Sequence, residues 1–410
     1  MVQYLFDKSR SKYERFYFLF RCAGNFAVAL SLSINTIFYL SRGLNLEQIG
    51  YLSGVSGATI LLTEFPTGIF ADRYGNALSV VISYFLLSFS CSIIVFANNF
   101  FSFIIAIIIG SLGTAFATGS FTAWILATDS GIKKRLSSFY AELGIAMSIC
   151  KIVGGITGAL IYPIIQFAPY LLSSIIYFAL GITFLMVSPI SSTRLKEKVK
   201  AESIKSFFMH AKTTLMFAVK NRGILLILII TVLFICAAMV PFIYWQPLIL
   251  SKLNTEDIKY LGGVFTLFIL CGILGNWVLK KFFARISEYT KLFALFISLG
   301  GVALFVTGYF QNAIFSLMAF LVYHFTLGTS SPLRARILNE RIPDDMRASV
   351  LSFVSWVEAV AQIMFSVIVG FLTRFVNIST LIMLAAFPIV AAFLLALMIP
   401  KHNLSNSKTL

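Results

Sequence analysis

The chain has 410 residues, of which 59% are hydrophobic and only 12% charged, with 42 Phe. A soluble protein of this length carries about twice that share of charge, so a soluble enzyme is excluded. The formal net charge of +16 does not indicate nucleic acid, because the basic residues lie in short segments between apolar runs, as loops facing the cytoplasm do.

The first apolar segment follows Lys8, Arg10, Lys12 and Arg15, a start like that of a signal peptide. It then runs to about residue 40 without a small-residue cleavage site, so it is read as a retained span. The apolar runs that follow are each long enough to cross a hydrocarbon layer as a helix. They predict spans at approximately 16–40, 46–70, 77–97, 101–128, 137–165, 169–188, 223–250, 256–280, 289–309, 313–337, 347–373 and 379–399. The fold class is therefore an all-α polytopic membrane protein with twelve transmembrane helices. An even number of spans puts both termini on one side. Only Arg42, Lys252, Lys259 and Arg374 fall in loops on the other side, which predicts cytoplasmic termini in a cell inner membrane.

Residues 189–222 form the longest polar stretch, with eight basic residues against Glu197 and Glu202. This segment separates an N-terminal six-helix bundle (1–188) from a C-terminal one (223–399), and a tail (400–410) follows. About residues 201–220 have helical apolar spacing with lysines between, as expected of a helix lying on anionic membrane lipid.

The halves resemble each other. Glu47–Val55 (EQIGYLSGV) opens span two and Glu256–Val264 (EDIKYLGGV) opens span eight, with six of nine positions identical. Arg135-Leu136-Ser137 answers Arg347-Ala348-Ser349 before spans five and eleven. Two pseudo-symmetric six-helix bundles are a usual architecture of secondary transporters. The five cysteines all lie in apolar runs, without a CxxC, so neither a disulfide framework nor a zinc site is expected. There is no GxxxxGK[ST] loop, and His210, His324 and His402 have no metal-site spacing. No cofactor, metal or enzymatic activity is expected.

Ionisable groups inside spans cost at least about 2.5–3.5 kcal/mol at the bilayer centre, which makes each a functional candidate. Glu64, seven residues after Gly57 and fourteen after Gly50, shares their stripe and is expected to face protein. Arg21 and Glu142 are expected at a similar depth. A cluster of Arg21, Glu64 and Glu142 would leave one carboxylate able to take a proton. A static salt bridge is the alternative. Lys151, on the glycine-rich face of span five, is expected to point into the bundle, to hold an anionic group or pair with an acid. Glu358 is a candidate protonation site of the second half, or a partner for a cationic substrate. His324, on a stripe with Gly328 and Ser331, is a candidate proton relay or a hydrogen-bonded core histidine. Tyr244 and Trp245 read as interface anchors, with Gln246 beside them as polar lining.

The segment Gly68-Ile69-Phe70-Ala71-Asp72-Arg73-Tyr74-Gly75 resembles the loop signature G-x-x-x-D-R/K-x-G of the major facilitator superfamily, with Asn76 and Ala77 where basic residues usually follow. The preceding Glu64-Phe65-Pro66-Thr67-Gly68 is similar to the E-x-P-T-G of that family's bacterial drug and metabolite exporters, and Leu338–Pro343 with Arg347–Ser352 resembles their loop before span eleven. The resemblance implies the major facilitator fold. It also implies a latch formed by Gly68, Asp72, Arg73 and Gly75 toward the start of span eleven. The expected function is secondary transport of a small amphiphilic compound by alternating access, as proton-coupled efflux. The alternatives are an uptake symporter for a sugar, peptide or other metabolite, and a transport-inactive receptor or scaffold. The expected partners are a small-molecule substrate, protons and membrane lipids, and a monomer is expected.

Overall fold

The structure, a computed structural model, describes residues 10–188, 216, 221–283, 288–343 and 346–400. Among these, all regular structure is helical. Span one is Lys12–Leu32 followed by Asn35–Ser41, bent by 44° at the break. Span two is Leu46–Tyr74, span three Asn76–Phe96, and span four Phe100–Ala117 continued by Ser120–Thr128. Spans five and six are Leu136–Ile161 and Ala168–Val187. Spans seven to eleven are Arg222–Leu253, Lys259–Phe282, Tyr289–Tyr309, Ala313–Asn339 and Arg347–Leu372. Span twelve is Ile378–Leu384 continued by Ala386–Leu397. Ten of these are long and apolar enough to cross a membrane, and the bent span one makes eleven. Span two reaches the length but carries Glu47, Glu64, Asp72 and Arg73. The expected surface helix at 201–220 lies outside the described residues, Met216 apart.

The first N–H groups of a helix have no partner within it, and hydrocarbon supplies none. Asparagine side chains cap the starts of spans two, four, seven, ten and twelve. Asn45 with Gln48, and Asn99 with Ser102, each form a reciprocal capping box. Ser11 caps span one by accepting from the Glu14 N–H at 3.1 Å.

The chain divides into two compact units, residues 1–200 with 256–266, and residues 201–255 with 267–410. In the first, span one packs on spans five and six, and span three on four and six. An aromatic core fills its centre, with Tyr17, Phe20, Tyr84, Phe121, Trp124 and Phe184 in mutual ring contact. In the second, span nine packs on ten and twelve, and span seven on eleven and twelve.

Backbone-to-backbone approaches pin the register inside each unit. A Cβ at Gly154 would stand 2.5 Å from the Phe26 carbonyl oxygen, and one at Gly158 would stand 2.0 Å from that of Leu30. Small residues let membrane helices approach this closely. Both contacts set residue n of span five level with residue n − 128 of span one, so the two helices run parallel. The same register brings the Cys22 and Cys150 thiols together. In the second unit a Cβ at Gly328 would stand 2.1 Å from the Gly272 oxygen, and one at Gly275 would stand 2.2 Å from that of Phe325.

A further device recurs in both units, at the C-terminal ends of spans one and seven. Arg42 donates to the Val95 carbonyl (3.2 Å) and to Asn98 Oδ1 (2.9 Å), at the end of span three. The Lys252 ammonium, buried, donates to the carbonyls of Gly308 (3.2 Å) and Phe310 (2.8 Å) and to Gln311 Oε1 (3.4 Å), at the end of span nine. Each cation satisfies carbonyls that the neighbouring helix leaves without partners, at the negative end of its dipole.

Candidate functional site

The charged groups within the spans fall into distinct settings. In the second unit, Arg334 of span ten and Glu358 of span eleven form an ion pair, NH1 to Oε1 3.1 Å. Arg334 also lies over the Phe234 ring of span seven, 6.0 Å from its centroid. The pair is only partly covered, with 23% of the Arg334 side chain and 36% of Glu358 exposed. Its carboxylate is therefore both paired and reachable.

In the first unit the acids gather near the N-terminal ends of spans one and five. The Glu14 carboxylate, buried, accepts from Arg10 at 2.9 Å and from Arg135. Arg10 also donates to Glu142 at 3.0 Å, and Ser11 donates to Asp129. The expected cluster of Arg21, Glu64 and Glu142 does not form. By the register of spans one and five, Glu142 is level with Glu14, about 10 Å along the axis from Arg21 at 1.5 Å per residue. It is thus Arg10 that meets Glu142. Gly50 and Gly57 are buried, but Glu64 is exposed. A helix drifts about 20° per heptad from a seven-residue repeat, and two heptads carry Glu64 off the stripe.

Arg21 lies over the Phe121 ring at 5.5 Å, and its Nε is buried with no hydrogen-bond partner. Lys151 is half-buried, near enough to Arg21 for the two charges to act on each other. Among the described residues neither has a carboxylate within ion-pair distance.

His324 sits among rings. Phe268 stacks on it at 3.9 Å and 11°, Phe320 lies edge-on at 5.1 Å, and Tyr323 at 5.6 Å. Its Nε2 is buried and has no hydrogen-bond partner among the described residues, so no relay chain leads from that nitrogen. Gln246 is buried, as are Tyr244 and Trp245, which corrects their reading as interface anchors. Trp245 stands eight residues before the end of span seven, about 12 Å inside it, and packs edge-on against Phe268 at 5.2 Å.

Asp72 and Arg73 are exposed at the end of span two, Arg73 against the Tyr74 ring at 5.3 Å. Gly75 ends that helix at φ +98°, a conformation that an L side chain rarely adopts. Among the described residues no group of His, Cys, Asp and Glu is placed to hold a metal ion.

The sequence model of the Major Facilitator Superfamily matches residues 17–366. The chain belongs to this superfamily. It is thus a secondary transporter embedded in a membrane, not an enzyme. Its relatives include a Bacillus subtilis (strain 168) protein named "Uncharacterized MFS-type transporter YxaM", 26% identical over 405 residues, 96% of this chain and 97% of that one. Among solved structures, the nucleoside transporter NupG has a TM-score of 0.77 at 11% identity, covering 96% of this chain and all of the other. A bacterial homologue of the iron transporter ferroportin in an inward-facing state has a TM-score of 0.75 at 11% identity, covering 95% and 99%. The peptide transporter POT, in complex with sulfate, has a TM-score of 0.73 at 13% identity, covering 96% and 94%. At these identities the likeness is one of major facilitator fold.

Two features of this transporter escape a reading by composition. Arg334 looks like the basic end of span ten, yet it lies inside a helix that continues to Asn339. Glu14 looks like part of a polar tail, yet the helix begins at Lys12. The Ser11-x-x-Glu14 pattern, a helix-start signature, was the available signal for the second.

Proposed function

We propose that the chain exports a small amphiphilic compound across the inner membrane in exchange for protons, by alternating access, with both termini in the cytoplasm. The observation that carries the coupling is the Arg334–Glu358 pair. A proton on Glu358 removes the counter-charge of Arg334, and a cation left alone in a span is costly. Protonation and pair opening are thereby one event, which gives the proton gradient a conformational element to act on. The exporter direction is supported by the Glu64–Gly68 sequence, which is similar to that of exporters in this superfamily.

Everted vesicles test this. A pH-gradient dye is quenched on energisation, and a panel of amphiphiles is added. A transported compound should restore fluorescence as protons leave, and its accumulation should stop when the gradient is dissipated. Glu358→Gln should abolish both effects. Accumulation that persists without pH gradient or membrane potential would overturn the coupling.

A further inference from the structure

We infer that Arg21 and Lys151 form an anion-binding site within the first bundle, and that the transported amphiphile carries a negatively charged head group, a carboxylate or a phosphate. The inference rests on the transport reading above and adds the chemical class of the substrate.

The glycine contacts at Gly154 and Gly158 fix spans one and five as a parallel, touching pair and set Cys150 beside Cys22. Arg21 comes one residue before that contact on span one, and Lys151 one residue after it on span five. Successive helix residues turn by about 100°. In a parallel pair, the residue before the contact on one helix and the residue after it on the other lie on the same side. Arg21 and Lys151 therefore flank one edge of the seam, offset by two residues, about 3 Å along the axis.

Two like charges held this close repel, and among the described residues neither has a carboxylate within ion-pair distance. The described acids of the first unit that pair or hydrogen-bond do so elsewhere. Glu14 binds Arg10 and Arg135, Glu142 binds Arg10, Asp129 binds Ser11, and Glu47 accepts from Tyr51 at 2.5 Å. Glu64 and Asp72 are exposed.

The surroundings suit an anion with an apolar body. Arg21 Nε has a free N–H. Phe121 offers a ring face beside Arg21. A head group accepting from Arg21 and Lys151 removes the repulsion and fills unmet donors in one step. Charge-assisted hydrogen bonds of this kind are the strong ones. A cationic or neutral amphiphile gains neither.

The test uses the full chain in nanodiscs of zwitterionic lipid, with four probes that share one apolar body: 1-naphthoate, 1-naphthyl phosphate, 1-naphthalenemethanol and 1-naphthylmethylamine. The two anions should bind and raise the melting temperature. The alcohol should bind at least about tenfold more weakly, the loss of one charge-assisted bond, and the amine more weakly still. Arg21→Gln and Lys151→Gln should each weaken anion binding at least about tenfold and leave alcohol binding unchanged, whereas Lys151→Arg should keep the anion preference. Equal binding of all four probes, or anion binding intact in the Arg21→Gln/Lys151→Gln double variant, overturns the site. Failure here is separable from failure of the export reading, because nanodisc binding needs no gradient. Anion binding without gradient-driven movement overturns export alone, and gradient-driven export of the amine alone overturns the anion site alone.

Discussion

The two bundles treat intramembrane positive charge in opposite ways. Each holds an arginine against a phenylalanine ring of another span, Arg21 on Phe121 and Arg334 on Phe234. In the second bundle Glu358 neutralises that arginine. In the first, the second ionisable group nearby is another cation, Lys151, and the acids are held elsewhere. One fold, duplicated, thus presents a partly exposed ion pair in one copy and, in the other, two neighbouring cations with no carboxylate in ion-pair distance among the described residues. Duplication supplies the frame, and on the proposed reading the difference in charge divides the labour: proton handling in the second bundle and recognition of an anion in the first.

The comparison breaks most severely if the helix seams give way. Gly158→Leu sets a side chain where a carbonyl oxygen stands 2.0 Å from the Cβ position, and backbone cannot move aside as a flexible side chain can. Spans one and five must separate, at a cost of about 3 kcal/mol or more. The expected outcome is loss of folded protein, read by size-exclusion chromatography and melting temperature. Gly328→Leu should do the same to the second bundle, where Gly272 stands 2.1 Å away. Gly144→Ala, with nothing within 4 Å, should leave the melting temperature unchanged or slightly raised, since alanine favours helix over glycine by about 1 kcal/mol. A Gly158→Leu variant as stable as wild type would remove the register on which the Arg21–Lys151 geometry depends.

Next in size is the acid group of the first bundle. Glu14→Gln keeps the shape of a buried side chain but leaves Arg10 and Arg135 without the carboxylate between them. Breaking one partner of a buried pair costs about 3–5 kcal/mol, and the partial exposure of both arginines places the effect at the lower end. Glu142→Gln, whose carboxylate is more exposed, should cost under about 1 kcal/mol, as surface pairs do. Equal losses for the two would show that the network is not organised around Glu14.

The Arg334–Glu358 pair is the third point of attack, through function more than stability. Glu358→Gln should leave only downhill movement of the substrate, no longer driven by the pH gradient, and Arg334→Gln should do likewise, since either change ends the coupling of pair and proton. A double-mutant cycle on the melting temperature should give an interaction of about 1 kcal/mol, as expected for a partly exposed pair. Retained gradient-driven accumulation in Glu358→Gln would transfer coupling to another carboxylate.

Much of the frame was legible in the sequence. Apolar run length marks the spans because hydrocarbon admits little else, and the Glu47–Val55 and Glu256–Val264 repeats mark the duplication. The site was legible only in part. Hydropathy says that Arg21, Lys151 and Glu358 are in spans, because charge is rare there. It does not say which of them meet, since that depends on a register between helices that two glycines set by contact with backbone atoms. Arg10–Glu142 is such a meeting, across 132 residues of chain, and Arg334–Glu358 is another between spans ten and eleven, without a glycine contact among the described residues to mark it. The heptad stripe through Gly50, Gly57 and Glu64 misled for a related reason. Spacing along one helix gives a face, and drift moves the face.

The smallest expected effects test whether the two bundles are alike where charge does the same job. Arg42 and Lys252 are both basic residues at the end of a first span, bonded to the last carbonyls of a third. They looked like stray positive charge on the side where such charge is rare, yet each serves as a helix cap. Lys252 is buried and makes three bonds, whereas Arg42 is only half-buried and divides its donors between one carbonyl and Asn98. Lys252→Met keeps the stem and removes the ammonium, leaving the Gly308 and Phe310 carbonyls short of a donor. A cation at a partly buried helix C-terminus is worth up to about 2 kcal/mol, so the melting temperature should fall by a few degrees. Arg42→Met should cost less, about 0.5 kcal/mol, as expected for a half-buried cap where water can replace some of the lost donors. Lys252→Arg should retain most of the stability if charge is what the span nine carbonyls require. If Lys252→Met melts like wild type, the buried ammonium is not a cap, and the likeness between the two ends is one of position only.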